Sequence, residues 1–310
     1  MEENKKGKKV GYFFLALVPI MGFFAVQVLA GIVLSVVGTV KYIAKGGDIT
    51  DPNAMLSDIL NSQSMGFMTV IIYVISFIVA VIIYIAVFKI KKPENPGKVM
   101  GLKSFGGIII GMCGVELIMS VLMIYASEVV PEVMEKYAEL IEQAGLSEMT
   151  LVSSLSALVL APVVEEMIFR GMTMKLAGKF TKNFWVANVF QALLFGIAHM
   201  NIVQGTYAFL MGLLLGLLYR KFDSLYATML AHLTFNFMGT FGVMLIFGEE
   251  ETVPAGKSIL LLAIGIIIAI AGIYFAIKCR KFPERENNFM ARVHGEVNEQ
   301  NNQEIANIAG

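Results

Sequence analysis

Eight stretches of mostly apolar residues recur along the chain, separated by short polar segments. A helix needs about 20 consecutive apolar residues to cross the hydrocarbon core of a bilayer. The sixth stretch is too short to cross the bilayer unless its helix extends into the flanking residues. The pattern predicts an all-α fold, a polytopic transmembrane helical bundle of about eight spans. We place the spans at residues 11–40, 66–88, 106–128, 151–174, 183–202, 206–219, 223–247 and 258–278.

The composition agrees with a membrane protein. Of 310 residues, 57% are hydrophobic and 15% are charged, with a mean hydropathy of +0.72. Ordinary soluble domains carry about 25% charged residues. The net charge of zero gives no reason to expect a nucleic-acid partner, so membrane lipid is the expected surrounding. Cys113 and Cys279 are far apart and lie in or beside apolar segments, which argues against a disulfide or a cysteine metal site.

Lysine and arginine predict the orientation, because they are enriched in cytoplasmic loops. With the N-terminus inside, 19 of the 24 Lys and Arg residues fall in inner segments and 4 in outer segments, while Arg170 lies within the fourth span. An even number of spans then puts both termini in the cytoplasm. We expect an integral protein of a bacterial cytoplasmic membrane. No feature of the sequence fixes its oligomeric state.

Two segments outside the spans have their own patterns. Residues 131–148 alternate apolar and charged side chains at helical spacing, which predicts an amphipathic helix on the outer surface. Residues 283–310 are rich in Asn, Gln and Glu, which is typical of a disordered tail.

The fourth span contains adjacent carboxylates, Glu165 and Glu166, and closes with Arg170. A charge at mid-bilayer costs at least about 2.5–3.5 kcal/mol, so such residues are functional candidates. Glu166 and Arg170 are four residues apart and share a helix face, where they can pair. Glu165 is then available as a general base. A buried ion pair that only fixes helix packing remains an equal alternative. Glu116, isolated in the third span, is predicted to be a protonated or helix-bonded carboxyl that faces the bundle.

Two of the three histidines, His199 and His232, lie in apolar spans, whereas His294 lies in the polar tail. Asn236 follows His232 by four residues and shares its helix face. Together with a glutamate, these side chains can bind a metal or activate water. Counted from the inner membrane face at the helical rise per residue, His199 lies deeper in the bilayer than His232. The two side chains can meet only if the fifth helix starts later, tilts or dips, or if the fourth helix breaks near Pro162. The HExxH motif of zincins is absent.

The segments "EEMIFRG", "FGIAH" and "HLTFN" resemble, in order and spacing, the EExxxR, FxxxH and HxxxN signatures of the CPBP intramembrane proteases. That family includes CAAX prenyl proteases and the bacteriocin-processing or self-immunity proteins of the Abi group. The resemblance covers about residues 151–240. It implies a protease core at about 151–247 inside a membrane-embedded bundle at 11–282, preceded by a cytoplasmic segment at 1–10.

The resemblance also implies roles for individual residues. Glu165 looks like the base that activates water, helped by His199. Glu166, paired with Arg170, looks like the orienting carboxylate. His232 and Asn236 resemble residues that hold a metal or stabilise an oxyanion. The implied cofactor is a divalent metal such as zinc, held by Glu165, His199 and His232, with a metal-free glutamate mechanism as the alternative.

The predicted function is therefore an intramembrane endopeptidase that hydrolyses membrane-associated, prenylated or signal-like peptides through a glutamate-activated water. Two other classes stay open. A non-catalytic immunity or scaffold protein could retain the motifs as a packing core. A proton-coupled transporter could use the buried Glu and His residues, although the chain lacks the inverted repeats typical of transporters.

Overall fold

The computed structural model describes residues 2–59, 62–88, 100–143, 154–248, 253–281, 283 and 289–294. Its first half contains five α-helices. Because α1 and α3 are apolar over most of their length, they run as long uninterrupted helices, and α4 does the same. The helices are α1 (Glu2–Ala44), α2 (Pro52–Ile59), α3 (Ser62–Phe88), α4 (Leu102–Val129) and α5 (Pro131–Gln143).

The predicted fourth span is a composite helix at residues 156–181, which alternates π- and α-helical turns. It is built from π1 (Ser156–Leu160), α6 (Ala161–Glu166), π2 (Met167–Met174) and α7 (Lys175–Thr181). The helix does not break near Pro162, so this expected way of bringing the two histidines together is not the one that the chain uses. Proline has no N–H to donate, and the chain accommodates it with a widened turn in which Ala161 N–H bonds to Ser156 O.

The second half continues with further helices. They are α8 (Phe184–Ala198), α9 (Ile202–Phe222), α10 (Leu225–Phe237), π3 (Met238–Gly242), α11 (Val243–Phe247), α12 (Ala255–Lys278) and α13 (Phe289–His294). Tight turns join α8, α9 and α10. Asn183 caps α8, accepting from Trp185 N–H at 2.8 Å. Asn201 caps α9, accepting from Gln204 N–H at 2.7 Å. The left-handed φ of Met200, 54°, closes the turn between them.

Five of these helices are long and apolar enough to cross a membrane, namely residues 7–44, 69–86, 102–129, 202–222 and 255–278. The prediction of an all-α membrane bundle is confirmed. The short sixth span does extend into its flanks and becomes the 21-residue α9. The fifth span is shorter than the predicted range of residues 183–202, because α8 has only 15 residues and ends just before His199.

Glycines let α4 and α12 pack backbone to backbone. A Cβ on Gly111 would lie 2.7 Å from Ile273 Cγ1, and a Cβ on Gly272 would overlap the backbone of Gly111. Close approach at small residues is how membrane helices gain packing contacts, since the lipid removes the hydrophobic drive between them. This pair forms one wall of the bundle, against which α10 also packs.

The predicted disordered tail contains a packed helix. Phe289 and Val293 of α13 are buried, and Phe289 contacts the rings of Phe184 and Tyr219 edge-on. Val293 packs so closely on α7 that a Cβ on Gly178 would lie 2.7 Å from its Cγ1. The expectation of disorder is therefore wrong for residues 289–294, where two apolar side chains reach a hydrophobic cluster. The rest of that tail, apart from residue 283, lies outside the described residues, as do residues 144–148 of the predicted amphipathic helix.

Candidate active site

The composite helix carries the two adjacent glutamates and the arginine into the interior of the bundle. Glu165 is 8% exposed, and Glu166 and Arg170 are completely buried. Arg170 falls within π2, so the backbone between the two partners changes from α- to π-helical geometry. Such π-helical turns are rare and occur frequently at functional sites.

Glu166 is held by two partners through one oxygen. Arg170 Nη1 donates to Glu166 Oε1 at 2.8 Å, and His232 Nδ1 lies 2.9 Å from the same atom. The neighbouring guanidinium favours the ionised carboxylate, which can only accept hydrogen bonds. His232 Nδ1 must therefore be the donor. In the neutral imidazole this leaves the lone pair on Nε2.

Glu165 lies opposite that second nitrogen. Its Oε2 is 3.7 Å from His232 Nε2, beyond direct hydrogen-bond distance. Its Oε1 accepts from the Tyr73 hydroxyl of α3 at 3.4 Å. His232 thus separates the two carboxylates and gives them different surroundings. Glu166 forms a buried ion pair with Arg170, whereas Oε2 of Glu165 faces His232 Nε2 without a direct hydrogen bond.

The ring of Phe195 joins the three motif segments. The Arg170 guanidinium carbon lies 4.5 Å from the ring centroid, a cation–π distance. The imidazoles of His199 and His232 contact the same ring edge-on, at 5.0 and 5.7 Å between centroids. Phe195 is almost completely buried, so it holds these groups in fixed relative positions.

His199 and Asn236 are bound to backbone carbonyls rather than to the carboxylates. His199 Nδ1 lies 2.8 Å from Phe195 O, and because a carbonyl cannot donate, Nδ1 carries the proton. Asn236 Nδ2 donates to Ala157 O of π1 at 3.0 Å. The structure therefore brings Glu165, Glu166, Arg170 and His232 into one connected group. His199 joins it through Phe195, and Asn236 lies on the same helix as His232.

Residues 147–238 match the family model described as type II CAAX prenyl endopeptidase Rce1-like. This segment is similar to the CAAX protease family. The resemblance drawn from three short motifs is thus confirmed, since the matched range contains all of them. At the level of the family, this match supports an intramembrane CAAX-type endopeptidase, and the long apolar helices support an integral membrane protein. Comparisons with curated proteins and with solved structures found no match.

The described side chains of this segment do not fit the predicted zinc site. Catalytic zinc takes three protein ligands and leaves one position for water. Among the residues that the structure describes, no group of three His, Cys, Asp or Glu side chains is arranged to hold an ion. Glu165 and His232 supply two facing donors. His199 keeps a lone pair on Nε2, but it is not grouped with these two side chains as a third ligand.

Two contacts of the site lie outside the recognised motifs. Tyr73, which bonds to Glu165, comes from α3, and the Gly212 carbonyl of α9 accepts from Arg170 Nη2 at 3.3 Å. No local pattern distinguishes Tyr73 from the other nine tyrosines of the chain. A backbone carbonyl has no sequence signal at all, so both contacts became visible only in three dimensions.

Glu116 does not take part in these contacts. It is 7% exposed, and the Ser120 hydroxyl one turn later donates to its Oε1 at 3.2 Å. A Cβ on Gly239 would lie 3.1 Å from the same oxygen. This agrees with the prediction of a helix-bonded carboxyl that faces the bundle.

Proposed function

We propose that this protein is an intramembrane endopeptidase in which Glu165 activates the water that attacks a peptide carbonyl. The observation that carries the proposal is the 3.7 Å gap between Glu165 Oε2 and His232 Nε2. Polar atoms at such a separation suit a bridging water. A water between them would donate one hydrogen to each and point a lone pair away from both.

Glu166 and Arg170 fix the imidazole that helps to hold this water. Because Glu166 accepts from His232 Nδ1, the ring keeps its Nε2 lone pair toward Glu165. Arg170 supplies the positive charge that keeps Glu166 ionised in a buried place. The pair is therefore a support for His232, and Glu165 is the base. This division of labour follows from the different surroundings of two adjacent carboxylates.

The reaction balances with these groups. Glu165 accepts a proton as the water oxygen bonds to the peptide carbon and the carbonyl becomes an oxyanion. Asn236 Nδ2 uses one hydrogen on Ala157 O, and its second hydrogen can donate to that oxyanion. Collapse breaks the C–N bond, and the proton on Glu165 passes to the leaving nitrogen. His199, protonated on Nδ1, offers Nε2 as a second proton acceptor.

No step of this scheme passes through a metal. Within the described part of the chain, no three His, Cys, Asp or Glu side chains are grouped to hold an ion, so the scheme assigns the activation of water to Glu165 and His232. The proposed reaction is a glutamate-dependent hydrolysis, and chelation tests its cofactor requirement directly.

The proposed substrate is a membrane-anchored peptide, with a prenylated CAAX peptide as the first candidate. The family description supports this class. The excess of Lys and Arg in alternate loops supports a cytoplasmic location for both termini. Residues 175–181 and 220–223 are then near the inner face, and the substrate would be cut within reach of that side.

The test uses purified protein in lipid vesicles and an internally quenched, farnesylated peptide ending in a CAAX box. We expect wild-type protein to release the last three residues, identified by mass, and Glu165→Gln to lose this activity. Glu116→Gln is the matched control, since it neutralises another buried glutamate of the bundle. Cleavage by Glu165→Gln at the wild-type rate, or equal loss in both variants, would contradict the proposal.

A further inference from the structure

Two buried amides lie behind Arg170, at the contact between α8 and α9. Asn188 and Gln191 are both completely buried. Gln191 Nε2 donates to Asn188 Oδ1 and to Gly212 O, each at 2.8 Å, and Asn188 Nδ2 donates to Leu213 O at 3.0 Å. Polar side chains placed between membrane helices bond across them, because lipid offers no alternative partner.

The carbonyl that Gln191 reaches is also the one that Arg170 uses. Gly212 O accepts from Arg170 Nη2 at 3.3 Å as well as from Gln191. The carbonyl oxygen has two lone pairs, so it can accept both bonds. The Gln191 amide of α8 and the Arg170 guanidinium of π2 therefore donate to the same oxygen atom of α9.

Glycines of α9 make this arrangement possible. A Cβ on Gly216 would overlap Asn188 Oδ1, and a Cβ on Gly212 would lie 3.0 Å from Ala192 Cα. The two helices therefore approach closely at the level of both amides. The amides fix the register of α9 against α8, and that register decides where the Gly212 carbonyl lies relative to Arg170.

We infer that Gln191 is a positioning residue for the proposed reaction. It holds the Gly212 carbonyl in place for Arg170, which holds Glu166, which in turn orients His232. Each link is a hydrogen bond of 3.3 Å or less. Gln191 touches none of the groups proposed to react, so it acts only through Arg170. The inference rests on the proposed function, and it adds a residue to which none of the three motifs assigns a role.

The first test compares Gln191→Met with Asn188→Leu, using the farnesylated CAAX peptide. Both changes approximate the side-chain shape and remove a buried amide between α8 and α9. Asn188 donates to Leu213 O and accepts from Gln191, but it has no hydrogen bond to the carbonyl shared with Arg170, so Gln191 keeps its bond to Gly212 O in this variant. We expect Gln191→Met to lower kcat roughly tenfold, the loss of one hydrogen bond near a charged group, with KM changed less than about twofold. Asn188→Leu should lower kcat by less than about threefold at a similar loss of Tm.

The second test is a double-mutant cycle with Arg170→Lys, which keeps the charge but loses the planar guanidinium that reaches Glu166 and Gly212 O through separate nitrogens. If Gln191 acts through the bond to Gly212 O, adding Gln191→Met to Arg170→Lys should change kcat by less than about twofold. Losses that multiply, or equal kcat losses in Gln191→Met and Asn188→Leu, would overturn the inference.

Failure of the proposed function is a separate outcome. If wild-type protein leaves the peptide intact, the same four proteins of the cycle are compared by thermal unfolding. Non-additive losses of stability then sustain the link between Gln191 and Arg170, and additive losses overturn it.

Discussion

Replacing Arg170 by Met should strongly destabilise the protein. The guanidinium is completely buried and has three kinds of contact, with Glu166, with Gly212 O and with the Phe195 ring. Methionine fills part of the volume but offers no hydrogen-bond donor. Glu166 would remain buried with His232 Nδ1 as the partner of its Oε1.

The size of the effect follows from the asymmetry of buried ion pairs. Removing one partner of such a pair costs about 3–5 kcal/mol, because the other charge stays buried without compensation. Loss of the cation–π contact adds about 0.5–2 kcal/mol. We therefore expect a loss of about 4 kcal/mol or more in the free energy of unfolding, and a fall in Tm of about 10 °C. Peptidase activity should be lost as well, since His232 loses its fixed orientation.

The assay is thermal unfolding in detergent, with Lys45→Met as the matched control. Lys45 pairs with Asp58 at 3.2 Å, but the two side chains are 64% and 34% exposed. Exposed pairs contribute about 0–1 kcal/mol, so this variant should unfold near the wild-type temperature. The double variant Glu166→Leu/Arg170→Met removes both charges and should recover much of the stability without recovering activity. Wild-type Tm and turnover in Arg170→Met would refute the assigned role of the pair.

Three further predictions concern topology, the Tyr73 hydroxyl and metal. Single cysteines are introduced into a chain from which Cys113 and Cys279 have been removed. They should be labelled from inside at residues 92–100 and 176–182, and from outside at residues 45–60 and 132–146. Labelling of residue 180 from outside would contradict the eight-span topology. Tyr73→Phe removes the hydroxyl that donates to Glu165 at 3.4 Å, so kcat should fall by roughly threefold to tenfold with little change in Tm, and an unchanged kcat would show that this bond does not serve the reaction. Chelators should leave peptidase activity intact, whereas loss that zinc restores would contradict the metal-free scheme.

The helical framework could be predicted from the sequence because it depends on local hydrophobicity. Continuous apolar runs gave the positions of α3, α4 and α12 to within a few residues. The structure differs from the prediction where tertiary contacts, rather than local hydrophobicity, determine the conformation. Pro162 suggested a break, but a π-helical turn keeps the composite helix continuous. Phe289 lies in a polar tail, yet it fits a cluster formed by Phe184 and Tyr219 from distant helices.

The site was predictable to the extent that its parts share a helix or a motif. Glu166 and Arg170 lie four residues apart, so their pairing could be expected from helical geometry. The contact of Glu166 with His232 joins residues 66 apart in sequence, and it was expected only because the motifs pointed to one site. Tyr73 and Gln191 carried no such signal, because each depends on how whole helices pack.

The central claim is that the adjacent glutamates have different tasks, and a paired measurement of Glu165→Gln and Glu166→Gln tests it most directly. Both substitutions preserve shape and remove one negative charge. Turnover of the farnesylated peptide and Tm are measured on each variant. We predict that Glu165→Gln loses turnover and keeps its Tm, whereas Glu166→Gln loses turnover and also unfolds at lower temperature, because Arg170 stays buried without its partner. Wild-type turnover in Glu165→Gln, or the same loss of Tm in both variants, would contradict the account.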